Sequence, residues 1–164
     1  MTRSTVWRRW TVRLVPTVLL AVLATVVTAV PPAQAASIQT FKNRSTSRCL
    51  DDSVQFGLRT FYCNGMNYQQ WRVTRQSNTL TEVVFRNVNT DKCLDDSIEF
   101  GVRTFPCNGL SYQRWNAYKI SGGSLQIRNK QTGRCLVDIG ANVDNGRLAV
   151  QGCDGYNPAF QLWY

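Results

Sequence analysis

The sequence predicts an all-β domain made of three copies of one unit of about 42 residues, closed on themselves as a threefold barrel. Three observations predict it. Residues 49–71, CLDDSVQFGLRTFYCNGMNYQQW, return at 93–115 as CLDDSIEFGVRTFPCNGLSYQRW, identical at 16 of 23 positions. A looser third copy starts at Cys135, and the 6 cysteines fall two to a copy. The segments between are short, rich in Val, Ile, Thr and aromatics, and broken by Asn, Asp and Gly. No 3.6-residue apolar period is sustained after residue 36.

Residues 1–35 read as a secretory signal peptide. Arg3, Arg8, Arg9 and Arg13 precede the uncharged run LVPTVLLAVLATVVTAV, and Ala33-Gln34-Ala35 supplies a small-x-small cleavage signal, with cleavage predicted after Ala35. The 17 residues from Leu14 to Val30 fall short of a comfortable membrane span, and Pro16 shortens them further. The expectation is an extracellular protein with no membrane attachment once the peptide is removed. Residues 36–164 form one domain, with repeats at about 37–80, 81–122 and 123–164. They carry 15 basic and 10 acidic residues, a net +5 spread singly along the chain. No Lys/Arg block suggests a nucleic-acid surface.

Each unit opens on Phe41-Lys42-Asn43, Phe85-Arg86-Asn87 or Ile127-Arg128-Asn129, whose first residue stands 8 before the first Cys. A turn-rich spacer follows (RSTSR, VNTDK, KQTGR), then CLDD, CLDD or CLVD, and each unit closes on Gln-x-Trp at Trp71, Trp115 and Trp163. In the second unit VVFRNV, KCLDD, VRTFPC and QRWNAYKI read as strands, which gives four per unit and about twelve in all. The Leu after each first Cys and the Trp of Gln-x-Trp are the expected core. No unit can bury its apolar face alone, so the three fold as one domain. A propeller shares the period but needs four or more blades.

The even cysteine count of an exported chain argues for a disulfide framework. The repeat selects one pairing: Cys49–Cys63, Cys93–Cys107 and Cys135–Cys153, at separations of 14, 14 and 18. Closing a loop of that length is worth roughly 3 kcal/mol. A zinc site is excluded by the absence of histidine and of any CxxC, and neither metal nor cofactor is expected. Nor does an enzyme fit: no histidine serves as base, and no Ser or Cys nucleophile has a partner. Adjacent aspartates on a strand face opposite ways, which argues against a glycosidase pair.

A sugar site needs a carboxylate for neighbouring hydroxyls, an aromatic face for the C–H side of the ring and polar groups that fix orientation. Unit one offers Asp51, Phe61, Asn64 and Tyr68, and unit two repeats them as Asp95, Phe105, Asn108 and Tyr112. Arg59 and Arg103 lie two residues from Phe61 and Phe105 and share their strand face. The cluster is expected to be exposed on loops. Structural readings stand beside this one: Asp51 capping a turn, Asp51 pairing with Arg59 so as to close the pocket, and Phe61 as core.

The threefold CL(D/V)…C…QxW pattern resembles the ricin B-type (R-type, QxW) β-trefoil lectins over essentially all of residues 36–164. In units one and two the CLD start and the CNG(x)xYQ(x)W end are more similar to the actinohivin type of actinomycete lectin. The resemblance implies a β-trefoil that binds glycans and carries no catalytic machinery. It places Asp51, Asn64 and Tyr68, with Asp95, Asn108 and Tyr112, on positions that contact sugar in the actinohivin type. Arg59 and Arg103 stand where that type has tyrosine, and Phe61 and Phe105 where it has leucine. Against the ricin pattern the expected Gln is again Arg59, and the expected Asn before Gln-x-Trp is Tyr68. Mannose-type and galactose-type ligands therefore both stay open. Unit three has Val137 for the key Asp, Gln151 for the wall and Phe160 for the Tyr, and reads as scaffold.

The expected function is that of a secreted lectin with sugar sites in units one and two. The alternative is a β-trefoil that binds a protein, such as a secreted protease it inhibits.

Overall fold

Four short strands per unit carry the chain in this computed structural model, which describes residues 36–76, 79, 81–120, 122–140, 146–153 and 158–164. The expected signal peptide, residues 1–35, lies outside the described residues. Unit one holds β1 (Ser37–Gln39), β2 (Arg48–Ser53), β3 (Gly57–Tyr62) and β4 (Trp71–Arg75). Unit two holds β5 (Glu82–Asn87), β6 (Cys93–Ser97), β7 (Gly101–Phe105) and β8 (Trp115–Lys119). Unit three holds β9 (Leu125–Asn129), β10 (Cys135–Asp138), β11 (Leu148–Gln151) and β12 (Leu162–Trp163). Among the described residues no helix is long and apolar enough to cross a membrane.

The barrel runs antiparallel from β4 to β5, β8, β9 and β12, with β1 against β4. It closes where Lys42 and Tyr164 exchange backbone hydrogen bonds of 2.7 and 3.0 Å and Asn43 bridges to Trp163. The other six strands form one hairpin per unit: β2–β3, β6–β7 and β10–β11.

One core serves all three units. Phe41, Phe85 and Ile127 meet Leu50, Leu94 and Leu136 and the tryptophans Trp71, Trp115 and Trp163, all at most 2% exposed. A buried indole N–H without a partner would cost about 1–3 kcal/mol. Each one donates to the carbonyl of its unit's core leucine, at 3.0, 2.9 and 3.2 Å. That bond ties β4, β8 and β12 to the three hairpins.

The polar repeats do the remaining joining. Asn43, Asn87 and Asn129 each accept two backbone N–H groups of the spacer that follows. Their side-chain amides donate to the carbonyls of Phe160, Tyr68 and Tyr112 in the preceding unit. The second aspartate of each hairpin reaches the next spacer: Asp52 accepts from Thr90, Asp96 from Thr132 and Asp138 from Thr46. These three clamps form a ring that runs from unit to unit and back to the first. Thr104 adds a bond of 3.0 Å to Asp52, and Arg134 adds bonds of 2.6 and 3.2 Å to Asp96. Each disulfide stays within its unit, with the pairing the repeat predicts.

One element differs from expectation. QRWNAYKI is not a strand throughout: β8 begins at Trp115, and Ser111–Gln113 forms a 3₁₀ turn, as Asn67–Gln69 and Pro158–Gln161 do in the other units. The glutamine is the reason. Gln69 accepts from the Asn64 N–H at 2.8 Å and donates to the Tyr62 carbonyl at 2.9 Å. Gln113 makes the matching bonds to Asn108 and Pro106 at 2.8 and 3.0 Å. A side chain turned inward to hold the loop after the second Cys stops the strand from starting earlier.

Candidate functional site

Strand register brings the candidate residues together. Asp51 on β2 lies opposite Arg59 on β3, and Asp95 on β6 opposite Arg103 on β7. Two pairs further along, Cys49 and Cys93 face Phe61 and Phe105. Arg59 donates from Nε to Asp51 Oδ1 at 3.0 Å, and Arg103 to Asp95 at 3.1 Å. Each guanidinium is held between two rings. Arg59 lies 4.4 Å from the Phe56 ring centre and 4.3 Å from that of Phe61, and Arg103 lies 4.4 Å from both Phe100 and Phe105. Each such contact is worth about 0.5–2 kcal/mol, depending on how dry it is.

One expectation needs correction. Asp51 and Asp95 are not exposed: they lie on strands, as KCLDD predicts, and are buried, at 0% and 2% exposure. The second and third residues after each Cys alternate sides, so Asp51 and Asp95 face their arginines while Asp52 and Asp96 face the neighbouring unit. In unit two Phe105 stacks on Arg103 beside the cavity, with Phe100 on its lining. Phe105 shares a strand face with Arg103 and remains 38% exposed. In unit one Arg59 pairs with Asp51, as the structural reading of Asp51 anticipated.

The two units diverge at the carboxylate. In unit one Gln69 donates to Asp51 Oδ2 at 3.0 Å, so both carboxylate oxygens are engaged, and the Arg59 side chain is only 11% exposed. Asn64 donates to the Tyr68 hydroxyl at 3.2 Å across the mouth. In unit two, among the described residues, Asp95 is bonded only through Oδ1 by Arg103, whose side chain is 32% exposed. A cavity of about 470 Å³ opens there, lined by Asp95, Arg103, Asn108 and Tyr112 together with Phe100. Its volume falls within the ~300–1,000 Å³ of small-ligand sites. An unshared carboxylate oxygen beside guanidinium N–H groups offers acceptor and donor a few ångströms apart, the pattern that two adjacent hydroxyls match.

Unit three lacks the constellation. Val137 lies opposite Ala149, the register position of Asp51 and Arg59, and Gln151 lies opposite Cys135. Its own Asp138 belongs to the clamp ring. Among the described residues no group of three or more His, Cys, Asp or Glu is placed to hold a metal.

Sequence reasoning missed Phe56 and Phe100. The signal was present: FGLRTF and FGVRTF set a Phe three residues before the Arg, at the end of the hairpin turn, and another two after it on the strand. Gly57 and Gly101, both at φ +67°, make that turn and fold the first Phe back over the guanidinium.

Three four-stranded units around one shared core define a β-trefoil. The chain belongs to the ricin-type β-trefoil lectin domain family, whose model matches residues 37–163. Among curated proteins no sequence matches. The designed threefold-symmetric protein ThreeFoil is similar at TM-score 0.67 and 18% identity, covering 77% of this chain and 95% of that one. The Polyporus squamosus lectin, solved with a Neu5Acα2-6Galβ1-4GlcNAc epitope, is similar at TM-score 0.65 and 14% identity, over 80% of this chain and 49% of that one. An exo-β-1,3-galactanase from Clostridium thermocellum is similar at TM-score 0.65 and 18% identity, over 82% of this chain but 30% of the enzyme. At these identities the likeness is one of fold.

Proposed function

We propose that this protein is a secreted, non-enzymatic lectin whose sugar sites lie on units one and two, with unit three as scaffold. The observation that carries the reading is the unit-two cavity, where Asp95 keeps one carboxylate oxygen unshared beside the Arg103 guanidinium. One hydroxyl of a vicinal pair donates to Asp95, its neighbour accepts from Arg103, and Asn108 and Tyr112 orient the ring. Phe100 offers the apolar face. Unit one presents the same groups in a tighter arrangement, so its affinity is the lower of the two. The Asp, Asn and Tyr shared with the actinohivin type support a mannose-type sugar, while Arg59 and Arg103 break the galactose-type set.

The test is a glycan array on the protein, followed by titration of Asp95→Asn with the best glycan. The variant keeps the side-chain volume and one acceptor but loses the charge. Affinity is expected to fall about tenfold or more, measured at a temperature where circular dichroism shows the variant folded, because loss of the Arg103 partner also lowers its melting temperature. An array without signal above background sinks the proposal. The Asp51 carboxylate, engaged at both oxygens by Arg59 and Gln69, is the observation that favours the second reading, a protein partner such as an inhibited secreted protease. A protease panel run beside the array separates the two.

A further inference from the structure

The mouth of the unit-two cavity is more apolar than a monosaccharide requires. Ile98, Phe100 and Leu110 line it and are 80%, 58% and 54% exposed. Unit one carries the same trio as Val54, Phe56 and Met66, at 87%, 55% and 55% exposure. Two of the three differ between the units, yet each remains a large apolar side chain. None of the six belongs to the core, so the fold does not demand their character. Exposed apolar clusters beside a polar cavity mark binding surface.

The charges at the cavity narrow the ligand further. Asp95 and Glu99 face a single Arg103 there, a formal net of −1 that disfavours uronates and sulfated sugars. A lipid bilayer fits the mouth less well than a soluble ligand. Glu99 lies between Ile98 and Phe100 at the hairpin tip, and inserting the tip would carry that charge into hydrocarbon.

We infer that the cavity takes a neutral glycoside whose aglycone is apolar, an alkyl or aryl group that leaves the sugar across Ile98 and Leu110. The inference rests on the sugar-binding reading of the same cavity and adds the chemical class of what the sugar is attached to. The polar floor holds the ring, and the mouth removes the aglycone from water, each buried methylene contributing to affinity.

The experiment is calorimetric titration of the full chain with methyl and hexyl glycosides of mannose, galactose, glucose and N-acetylglucosamine, below micellar concentrations. For the sugar that binds, the hexyl form is expected to bind at least about fivefold tighter than the methyl form. The double variant Ile98→Ser with Leu110→Ser is expected to bring that ratio below fivefold and leave the methyl glycoside's Kd unchanged. A wild-type ratio below fivefold, or a ratio the double variant does not lower, overturns the aglycone inference and leaves the sugar reading intact. Absence of binding by every glycoside overturns both. Binding of the wild type to sugar-free phosphatidylcholine vesicles makes the mouth a lipid-inserting tip and overturns the inference as well.

Discussion

Asp52 sits between Thr90 and Thr104 with its carboxyl out of water, and that burial raises its pKa above the ordinary value, outweighing the two hydroxyl donors and Lys92, which lower it. It therefore holds its proton more tightly in the folded chain than in the unfolded one. Its contribution to stability is whole below about pH 4 and is lost as the pH rises through the higher folded value. Glu82 behaves in the opposite sense. Lys130, donating at 2.7 Å, lowers its pKa against the cost of burial, and Arg114 assists. Its contribution is whole above about pH 4 and is lost as the pH falls through the depressed folded value. Thermal melts from pH 2 to 7 check both. Asp52→Asn should flatten the decline of Tm above pH 4 relative to the wild type, and Glu82→Gln should flatten the decline below it. At this scale the sequence was half legible. CLDD shows that two carboxylates alternate along a strand, but not that one is sealed by a guanidinium and the other by a neighbouring unit. Those partners are 8 residues away for Asp51 and 38 for Asp52.

The hairpin is the element that carries both the site and the staple. In unit three it lacks the site and keeps the staple, Cys135–Cys153, which closes the longest of the three loops at 18 residues. Replacing both cysteines by alanine should cost roughly 3 kcal/mol of stability, read as a lower urea midpoint with the slope little changed. The strands and the pairing of the cysteines were legible because alternation, turn residues and the repeat all agreed on them. The 3₁₀ turns were not. A glutamine turned inward to bond a backbone N–H has the same letters as one on a strand, and its three-residue turn is too short to leave a period. The Phe–Arg–Phe stack escaped for a related reason, since a hairpin turn brings Phe56 and Phe61 to opposite sides of Arg59 and linear spacing does not show it.

Across the whole molecule the threefold plan holds in the core and loosens at the junction of units three and one. Thr104 bonds Asp52, whereas the Thr60 hydroxyl, in the same place on its own hairpin, is buried with no partner among the described residues. There Thr60 instead exchanges backbone hydrogen bonds with Gly146, and any side chain at 146 would run into Thr60. The clamp ring itself was readable but unread. A Thr stands in the middle of all three spacers, at 46, 90 and 132, and an Asp ends all three CLxD segments, at 52, 96 and 138. Those residues recur wherever Leu and Gln-x-Trp recur, which sets them with the scaffold rather than with the site.

Lys42 and Tyr164 exchange backbone bonds like any neighbours in a sheet, so the first and last units are joined as the others are. A closed ring of three like parts does not depend on which part the ribosome makes first. A chain opened between Gly122 and Gly123, both exposed, with Tyr164 joined to Ser37 by about six Gly/Ser residues, should reach the same fold. Its circular dichroism should match the parent's, and it should still unfold in one cooperative transition. A permutant that melts in two steps would show instead that the order of synthesis is part of how this ring closes.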